Sequence, residues 1–306
     1  MRTSTFYFGI FLILFLCLGP PSSALTQEKD KIKIETSVVS ILISVTDPEG
    51  RFVTGLKQEH FMIFEDKIKQ EIDFFSDEDA PISLGIVFDV SGSMKERVPR
   101  AIKALRRFIE TSHDDDDIFL IGFNNKAELV QDFTTSGDQI LNHLIMIIPK
   151  GSTALYDATY LAAEKVQQGR HKKKALLIIS DGQDNHSRYT YKELRNLIRE
   201  ADIQIYAIGI TDPNDELNAN GRSILGEIAR MTGGRSFFPS ASNEPELTEI
   251  FTRIALELRY QYSVGYYAPH AAHDGKCHKI KIVLGSTKGL GKLSLKFKDK
   301  YCDPKM

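Results

Sequence analysis

The sequence has little of several features that mark specialised classes of protein. Only 3 of its 306 residues are cysteine, too few for a small domain held together by many disulfides. Lysine and arginine number 39 against 41 aspartate and glutamate residues, a net charge of −2, so no basic excess argues for nucleic acid binding. With 42% hydrophobic residues, 11 prolines and 21 glycines, the composition excludes disordered, collagen-like and multi-span membrane proteins.

Several catalytic and nucleotide-binding signatures are also absent. The sequence contains no G-x-S-x-G elbow, no H-E-x-x-H, no P-loop and no G-x-G-x-x-G, each of which supplies a specific piece of chemistry in known enzymes. We therefore expect a protein that is not an enzyme. A hydrolase that uses Ser91 as its nucleophile stays open as a less favoured alternative.

The longest apolar run lies at the N-terminus. It extends from Phe6 to Leu18, after Arg2 and before small residues that end at Ala24. This pattern predicts a secretory signal peptide over residues 1–24. Because the run is shorter than the roughly 20 residues of a spanning helix, we expect a mature chain without a stable membrane span, exported to the periplasm or the extracellular space.

Two cysteines remain once a signal peptide has been removed, and export places them in an oxidising compartment. Cys277 and Cys302 lie near opposite ends of two alternating segments, Lys279–Leu284 and Lys292–Lys300. A hairpin around Lys288–Gly289 brings them together, which favours a disulfide. The alternative is a zinc site, for which the candidate ligands are His270, His273, Cys277 and His278.

The C-terminal segment is also rich in lysine, with nine lysines and two acidic residues between positions 276 and 305. A segment with this positive charge could bind an anionic polysaccharide or lipid. The lysines alternate with apolar residues, so we favour a half-buried strand with a solvated lysine face. The acidic run Asp114–Asp117 lacks the ligand spacing of an EF-hand loop, and we expect a solvated loop there.

Strands and helices alternate from Pro81 to Tyr260. Apolar residues at helical spacing separate four continuous apolar runs. Continuous runs are typical of parallel strands that are buried on both faces. The pattern predicts an α/β fold with a doubly wound, mainly parallel sheet flanked by helices over residues 81–260. The four predicted strands are Leu84–Phe88, Ile118–Phe123, Ala175–Ile179 and Ile203–Ile210.

Residues 32–78 and 261–306, on either side of this domain, are predicted to form strands. Ile34–Thr46 is largely apolar and β-branched, and Phe61–Phe64 and Glu71–Phe75 are shorter candidates. The C-terminal segment cannot bury its apolar face alone. We therefore expect the two segments to pair in a small discontinuous β-sandwich into which the α/β domain is inserted. The alternative is that residues 32–78 decorate an edge of the α/β domain.

Oxygen-bearing side chains stand where the predicted parallel strands end. Asp89, Ser91 and Ser93 follow the first strand. Asp181 follows the third, and Thr153 lies in a loop before a helix. Open α/β sheets bind ligands at this edge, and an oxygen-only set of low charge suits Mg²⁺, with Mn²⁺ or Ca²⁺ as alternatives. Two carboxylates only neutralise such an ion, so an outside carboxylate can complete its coordination.

The pattern D-x-S-x-S, followed by a threonine and then an aspartate, resembles the metal-ion-dependent adhesion site of the von Willebrand factor type A domain. The stretches GIVFDVSGSM, GSTALYDA, LLIISDGQDN and IYAIGI are also similar to that family. The resemblance covers roughly residues 81–260. It implies that Ser91 and Ser93 bind the metal directly, that Thr153 joins when ligand is bound, and that Asp89 and Asp181 act largely through water.

The flanking segments, with GRFVTGLKQEHFMIFED and RYQYSVGYY, resemble a subgroup of exported bacterial proteins that carry this domain. Ser152 departs from the family pattern, since a second glycine is frequent at that position. Together these features predict an exported adhesion-type module whose cation binds an acidic residue of a partner protein. The alternative is a structural or assembly protein of the cell envelope in which the metal only stabilises the fold.

Overall fold

The computed structural model describes residues 36–210, 218–239, 243–271, 275–285 and 291–302. The predicted signal peptide, His273 and the turn Lys288–Gly289 lie outside these residues, as does the side chain of His270. Within the described ranges, the structure contains no helix with the length and apolar character needed to cross a membrane.

The chain forms fourteen strands and six α-helices in these ranges. The strands are β1 (Thr36–Thr46), β2 (Phe61–Glu65), β3 (Ile68–Gln70), β4 (Phe74–Ser76), β5 (Ile82–Asp89), β6 (Asp117–Phe123), β7 (Ala127–Thr134), β8 (Lys173–Ser180), β9 (Gln204–Gly209), β10 (Ser236–Phe237), β11 (Tyr262–Ala271), β12 (Cys277–Leu284), β13 (Ser294–Lys296) and β14 (Lys300–Cys302). The helices are α1 (Val98–Thr111), α2 (Gly137–Met146), α3 (Leu155–Val166), α4 (Tyr191–Glu200), α5 (Asn218–Met231) and α6 (Glu244–Arg259).

A six-stranded sheet in the order β10-β9-β8-β5-β6-β7 forms the centre of the α/β domain. Its strands pair in parallel except for β7, which runs antiparallel to β6. One core cluster joins the sheet to α1, α2 and α6, and a second joins it to α3, α4 and α5. The strands β5, β6 and β9 are buried throughout because helices cover both faces. The predicted α/β fold is confirmed.

Two four-stranded antiparallel sheets form the rest of the structure, in the orders β13-β1-β11-β4 and β14-β12-β2-β3. They enclose a third hydrophobic core. In the first sheet Val39 of β1 pairs with Tyr266 of β11, and in the second Ile63 of β2 pairs with Ile282 of β12. Strands that precede the α/β domain therefore pair with strands that follow it. We refer to these two sheets as the β-sandwich.

Several expectations about individual segments were wrong. Residues 292–300 do not form a continuous partner for β12. Among the described residues 291–302, β13 pairs with β1, and the short strand β14 pairs with β12. A tight turn after β2 leads directly into β3, so the expected strand Glu71–Phe75 is replaced by the shorter β3 and β4.

Two charged segments are less exposed than expected. The ammonium group of Lys298 donates hydrogen bonds to the carbonyl oxygens of Arg199 and Ala201, 3.1 and 3.0 Å away. It thereby binds free carbonyls at the C-terminus of α4, as cations do at helix ends. Within the predicted acidic loop, Asp116 is buried and accepts a 2.8 Å hydrogen bond from the backbone N–H of Ile82. Its carboxylate holds the loop to the start of β5.

Cys277 and Cys302 form a disulfide between the paired strands β12 and β14. The expected pairing is thus present in the structure, and the thiolate needed for the zinc alternative is used in this bond. The two residues are 25 apart in sequence. Closing a loop of that length restricts the unfolded chain.

We expect the double substitution Cys277→Ser/Cys302→Ser to lower the free energy of unfolding by about 3 kcal/mol, because the unfolded chain regains loop entropy. Urea titration followed by circular dichroism measures the change. Thiol titration of the denatured, signal-peptide-free wild-type chain should find no free thiol. Two titratable thiols would contradict the disulfide.

Candidate metal centre

The carboxylate of Asp89 lies at the end of β5 and is fully buried. Its Oδ1 accepts a 2.9 Å hydrogen bond from the backbone N–H of Ser91, and its Oδ2 accepts a 2.6 Å bond from the hydroxyl of Ser180. Ser180 comes from the neighbouring strand β8, whose parallel register places Ile179 beside Phe88. The pairing of these two strands therefore brings a hydroxyl group to the buried carboxylate.

The two serines of the first loop lie side by side. The Oγ atoms of Ser91 and Ser93 are 3.1 Å apart; Ser91 is buried and Ser93 is exposed. Ser93 lies within a short 3₁₀ turn over Gly92–Met94 that precedes α1, and the Met94 side chain is fully buried. The backbone N–H of Gly92 donates a 3.0 Å bond to the carbonyl of Gly151. This bond fixes the serine loop against the loop that carries Thr153.

Thr153 is buried and is held by the segment that follows β8. Its backbone N–H donates to Asn185 Oδ1 at 2.9 Å, and its carbonyl accepts from the N–H groups of Asn185 and His186 at 3.0 and 3.1 Å. Asp184, from the same segment, accepts a 2.9 Å bond from the N–H of Tyr156 in the first turn of α3. The loop that carries Thr153 is thus joined to the segment after Asp181 through both main-chain and side-chain groups.

Asp181 directly follows β8 and is almost completely buried. Its Oδ2 lies 3.3 Å from Nη1 of Arg97, which precedes α1, and its Oδ1 accepts a 3.3 Å bond from the N–H of Gln183. Gly182 adopts a φ of +83°, a conformation that favours glycine. A Cβ atom there would lie 2.7 Å from the backbone of Gly221 in α5. The aspartate loop and the helix are therefore in direct backbone contact.

Burial is the main cause that raises the pKa of Asp89, to about 6. The hydrogen bonds from Ser180 and Ser91 oppose the rise, and the negative charge of Asp181 adds to it. Two carboxylates thus lie close together in a buried site where Arg97 supplies one positive charge. A hard divalent cation binds where several oxygen atoms lie close together and negative charges outnumber positive ones. The residues fit such an ion.

The family model of the von Willebrand factor type A domain matches residues 84–253, more than half of the chain. The chain belongs to this family. Type A domains often bind a divalent metal at the adhesion-site motif, and one similar solved structure, a proximal thread matrix protein of the mussel byssus, has zinc in that motif. That structure is 18% identical, with a TM-score of 0.49, over 63% of this chain and 49% of the other.

Other similar proteins match only part of this type A domain protein. A minor pilin, PilB of Streptococcus sanguinis, is 16% identical with a TM-score of 0.50, over 59% of this chain and 62% of the pilin. An uncharacterized protein of Borreliella burgdorferi is 28% identical over 136 residues. That alignment covers 41% of this chain and 39% of the Borreliella protein, so it spans about two fifths of the relative's length.

Several residues that position the site of this type A domain were not predicted from the sequence. Ser180 was available to the same reasoning, since it stands at the end of a predicted strand beside Asp181. The others lie on different elements, and no spacing rule connects them to the motif. They are Arg97, Asn125, Asp184, Asn185 and Gly221; Asn125 accepts a 2.5 Å hydrogen bond from the N–H of Ser152 through Oδ1.

We expect Gly221→Ala to lower the free energy of unfolding by about 1–3 kcal/mol. The new Cβ would lie 2.5 Å from the backbone of Gly182 and 3.0 Å from the carbonyl of Asp181, so the loop must move. The same shift should weaken Mn²⁺ binding at the site. Thermal unfolding and calorimetric titration measure the two effects.

The matched control is Gly226→Ala in the same helix. There the nearest atom to a new Cβ is Ser236 Oγ at 3.6 Å, an ordinary contact. Alanine favours a helix over glycine by about 1 kcal/mol, so we expect equal or higher stability and unchanged metal affinity. Equal behaviour of the two variants would show that the contact between Gly221 and Gly182 does not constrain the loop.

Proposed function

We propose that this protein is an exported bacterial module that binds a partner protein through a divalent cation. The observation that carries the proposal is the meeting of two buried carboxylates with hydroxyl groups at the carboxyl edge of the parallel sheet. Mg²⁺ is the favoured ion, with Mn²⁺ or Ca²⁺ as alternatives. The proposed metal-site residues are Asp89, Ser91, Ser93, Thr153 and Asp181.

The burial of each residue would determine its role in binding the ion. Asp89 and Asp181 are buried and supply the negative charge, while Ser93 is exposed and lies on the side that solvent or a partner can reach. A bound cation supplies an electrophilic centre that accepts a further oxygen ligand. Because the carboxylates only balance a charge of +2, an acidic side chain of the partner is the ligand that this site favours.

An exposed apolar rim adjoins the serine loop and supports a protein as the partner. Met146 and Ile148 are 83% and 78% exposed, at and just beyond the end of α2. They lead into Lys150, whose N–H donates a 2.9 Å bond to the carbonyl of Val90, between the first two ligand residues. Exposed apolar side chains beside a polar site are typical of surfaces that bind other proteins.

A catalytic role receives no support from the contacts of Ser91. Its hydroxyl lies 3.1 Å from that of Ser93 and is hydrogen-bonded to the Asp89 carboxylate, and oxygen atoms grouped in this way are ligands for a hard cation. We therefore propose that the protein is not an enzyme. Export rests on the N-terminal sequence pattern, which predicts removal of residues 1–24.

A structural or assembly role is the second candidate, and one observation favours it. Asp89 and Asp181 are buried and mutually repulsive, so a cation between them would stabilise the sheet edge without any partner. Under this alternative, metal would raise the thermal stability of the chain, and partner binding would take place elsewhere, for example on the β-sandwich.

We expect Asp181→Ala to abolish metal-dependent partner binding and to weaken Mg²⁺ binding by more than about tenfold, because one of two carboxylates is lost. Retention of envelope proteins on the immobilised chain, with Mg²⁺ and with chelator, measures the first effect, and calorimetry the second. The circular dichroism spectrum should stay native.

Asp114→Ala is the control, since Asp114 is an exposed carboxylate at the opposite edge of the sheet. It should bind metal and partner as the wild type does. Partner retention that survives both chelator and Asp181→Ala would overturn the adhesion proposal. If Mg²⁺ still raised the melting temperature of the wild type, the structural role would replace it.

The double substitution Met146→Ser/Ile148→Ser should weaken the free energy of partner binding by at least about 1 kcal/mol. The Mg²⁺ affinity should stay unchanged. Neither side chain belongs to the proposed metal site. Titration of the captured partner measures the effect. Ile68→Ser is the matched control, because Ile68 is 64% exposed but lies on β3 of the β-sandwich. An equal loss in the control, or none in the double variant, would exclude the rim from the interface.

A further inference from the structure

Three side chains with metal-binding atoms meet at one end of the β-sandwich, on different sheets from the proposed adhesion site. Nδ1 of His278 lies 2.8 Å from Oδ2 of Asp66 and 3.3 Å from Oε1 of Glu65. One ligand atom from each residue falls within 4.8 Å of the other two. The imidazole and both carboxylates are therefore directed at one point.

Strand pairing and a tight turn position the two carboxylates. Glu65, the last residue of β2, pairs with Ile280 of β12. Asp66 and Lys67 have φ values of +46° and +74°, the left-handed pair that a type I′ hairpin turn requires. The N–H of Asp66 donates to the carbonyl of Lys279, and the N–H of Lys279 donates back to Asp66 Oδ1, both at 2.9 Å.

The third ligand, His278 on β12, is held by the neighbouring strand β14 of the same sheet. His278 lies next to the disulfide between Cys277 and Cys302, and its ring stacks on that of Tyr301, with centroids 6.3 Å apart. A disulfide and an aromatic ring thus restrict the strand that carries the imidazole. Ligands that are already ordered lose little entropy when they bind an ion.

The distances fit a small first-row metal. Ligand bonds of about 2.0–2.2 Å in a tetrahedral site separate the ligand atoms by roughly 3.3–3.6 Å. The 2.8 and 3.3 Å contacts of His278 need only a slight opening, and all three ligand atoms already lie within 4.8 Å of one another. A nitrogen ligand favours zinc over magnesium or calcium. Two carboxylates and a neutral imidazole carry a charge of −2, which one Zn²⁺ neutralises.

We propose that Glu65, Asp66 and His278 form a zinc site in the β-sandwich. The Glu65 side chain is 2% exposed and that of Asp66 is 52% exposed, so the ion would be anchored in the interior and reached from solvent through the turn. Three protein ligands leave one position for water or a further ligand. The site fastens the β2–β3 turn to β12 beside the disulfide.

A proton competes with zinc for Nδ1 of His278. A protonated His278 between two carboxylates would produce similar contacts, and zinc must displace that proton to bind through Nδ1. If zinc binds, the folded chain retains it, and retention depends on His278 and Asp66. If the site holds only a proton on His278, the chain retains no zinc there.

Equilibrium dialysis against Zn²⁺ with elemental analysis tests the proposal, using the full chain with Asp181→Ala so that the adhesion site does not contribute. We expect one zinc per chain. His278→Gln should lose it, and Asp66→Asn should bind it at least about tenfold more weakly. The asparagine keeps an oxygen that accepts from the N–H of Lys279 and tolerates the left-handed φ, so this variant should fold normally.

His143→Gln is the control, because His143 is a histidine on α2 outside the sandwich, bonded to Gln131. It should retain zinc fully. Co²⁺ in place of zinc gives a second readout, since the visible absorption of a tetrahedral nitrogen–oxygen site should disappear with His278→Gln and not with His143→Gln. Zinc retention unchanged in folded His278→Gln and Asp66→Asn, or no zinc on the parent chain, would overturn the proposal.

Discussion

A buried carboxylate at the end of the central strand is the constraint on which the α/β domain depends. The charge of Asp89 has no access to water, so it needs polar partners that the sheet itself brings to it. The strand register supplies the hydroxyl of Ser180 from β8, and the sharp turn after β5 supplies the N–H of Ser91. These two bonds fix the carboxylate relative to β8 and to the first residues of the loop that carries the two serines.

The loops around the carboxylate are connected mainly through main-chain groups. Gly92 bonds to Gly151, and Thr153 bonds to the segment that follows Asp181. These hydrogen bonds order the loops of the proposed site relative to one another. Such preorganisation lowers the entropy lost on binding. Gly221, which is distant from the motif in sequence, contacts one of these loops and limits where it can lie.

The sequence predicted those parts of the fold whose burial is uniform. The strands β5, β6, β8 and β9 are continuous apolar runs because helices cover both faces, whereas β7 is half-exposed and irregularly paired, and it was not predicted. Alternation in the C-terminal segment indicated a buried face but not a partner, so β13 was assigned to the wrong neighbour. The residues of the proposed metal site were chosen from the sequence because four of them follow predicted strands, while Thr153 lies in a loop before a helix. Arg97 reaches Asp181 from another element, and no local pattern indicates such a contact.

The insertion of one domain into another has a consequence for the order in which the chain folds. The strands and helices of the α/β domain come from one continuous stretch of the chain, but β1 and β2 pair with β11 and β12, which are synthesised after the whole inserted domain. Contacts between residues so distant in sequence form slowly. Until these contacts form, the apolar side chains of β1, including Val39 and Ile41, are exposed to water. Partly folded chains with an exposed apolar strand tend to aggregate. The disulfide joins only late segments, so closure of the sandwich rests on the folded α/β domain, which brings its two flanking segments together.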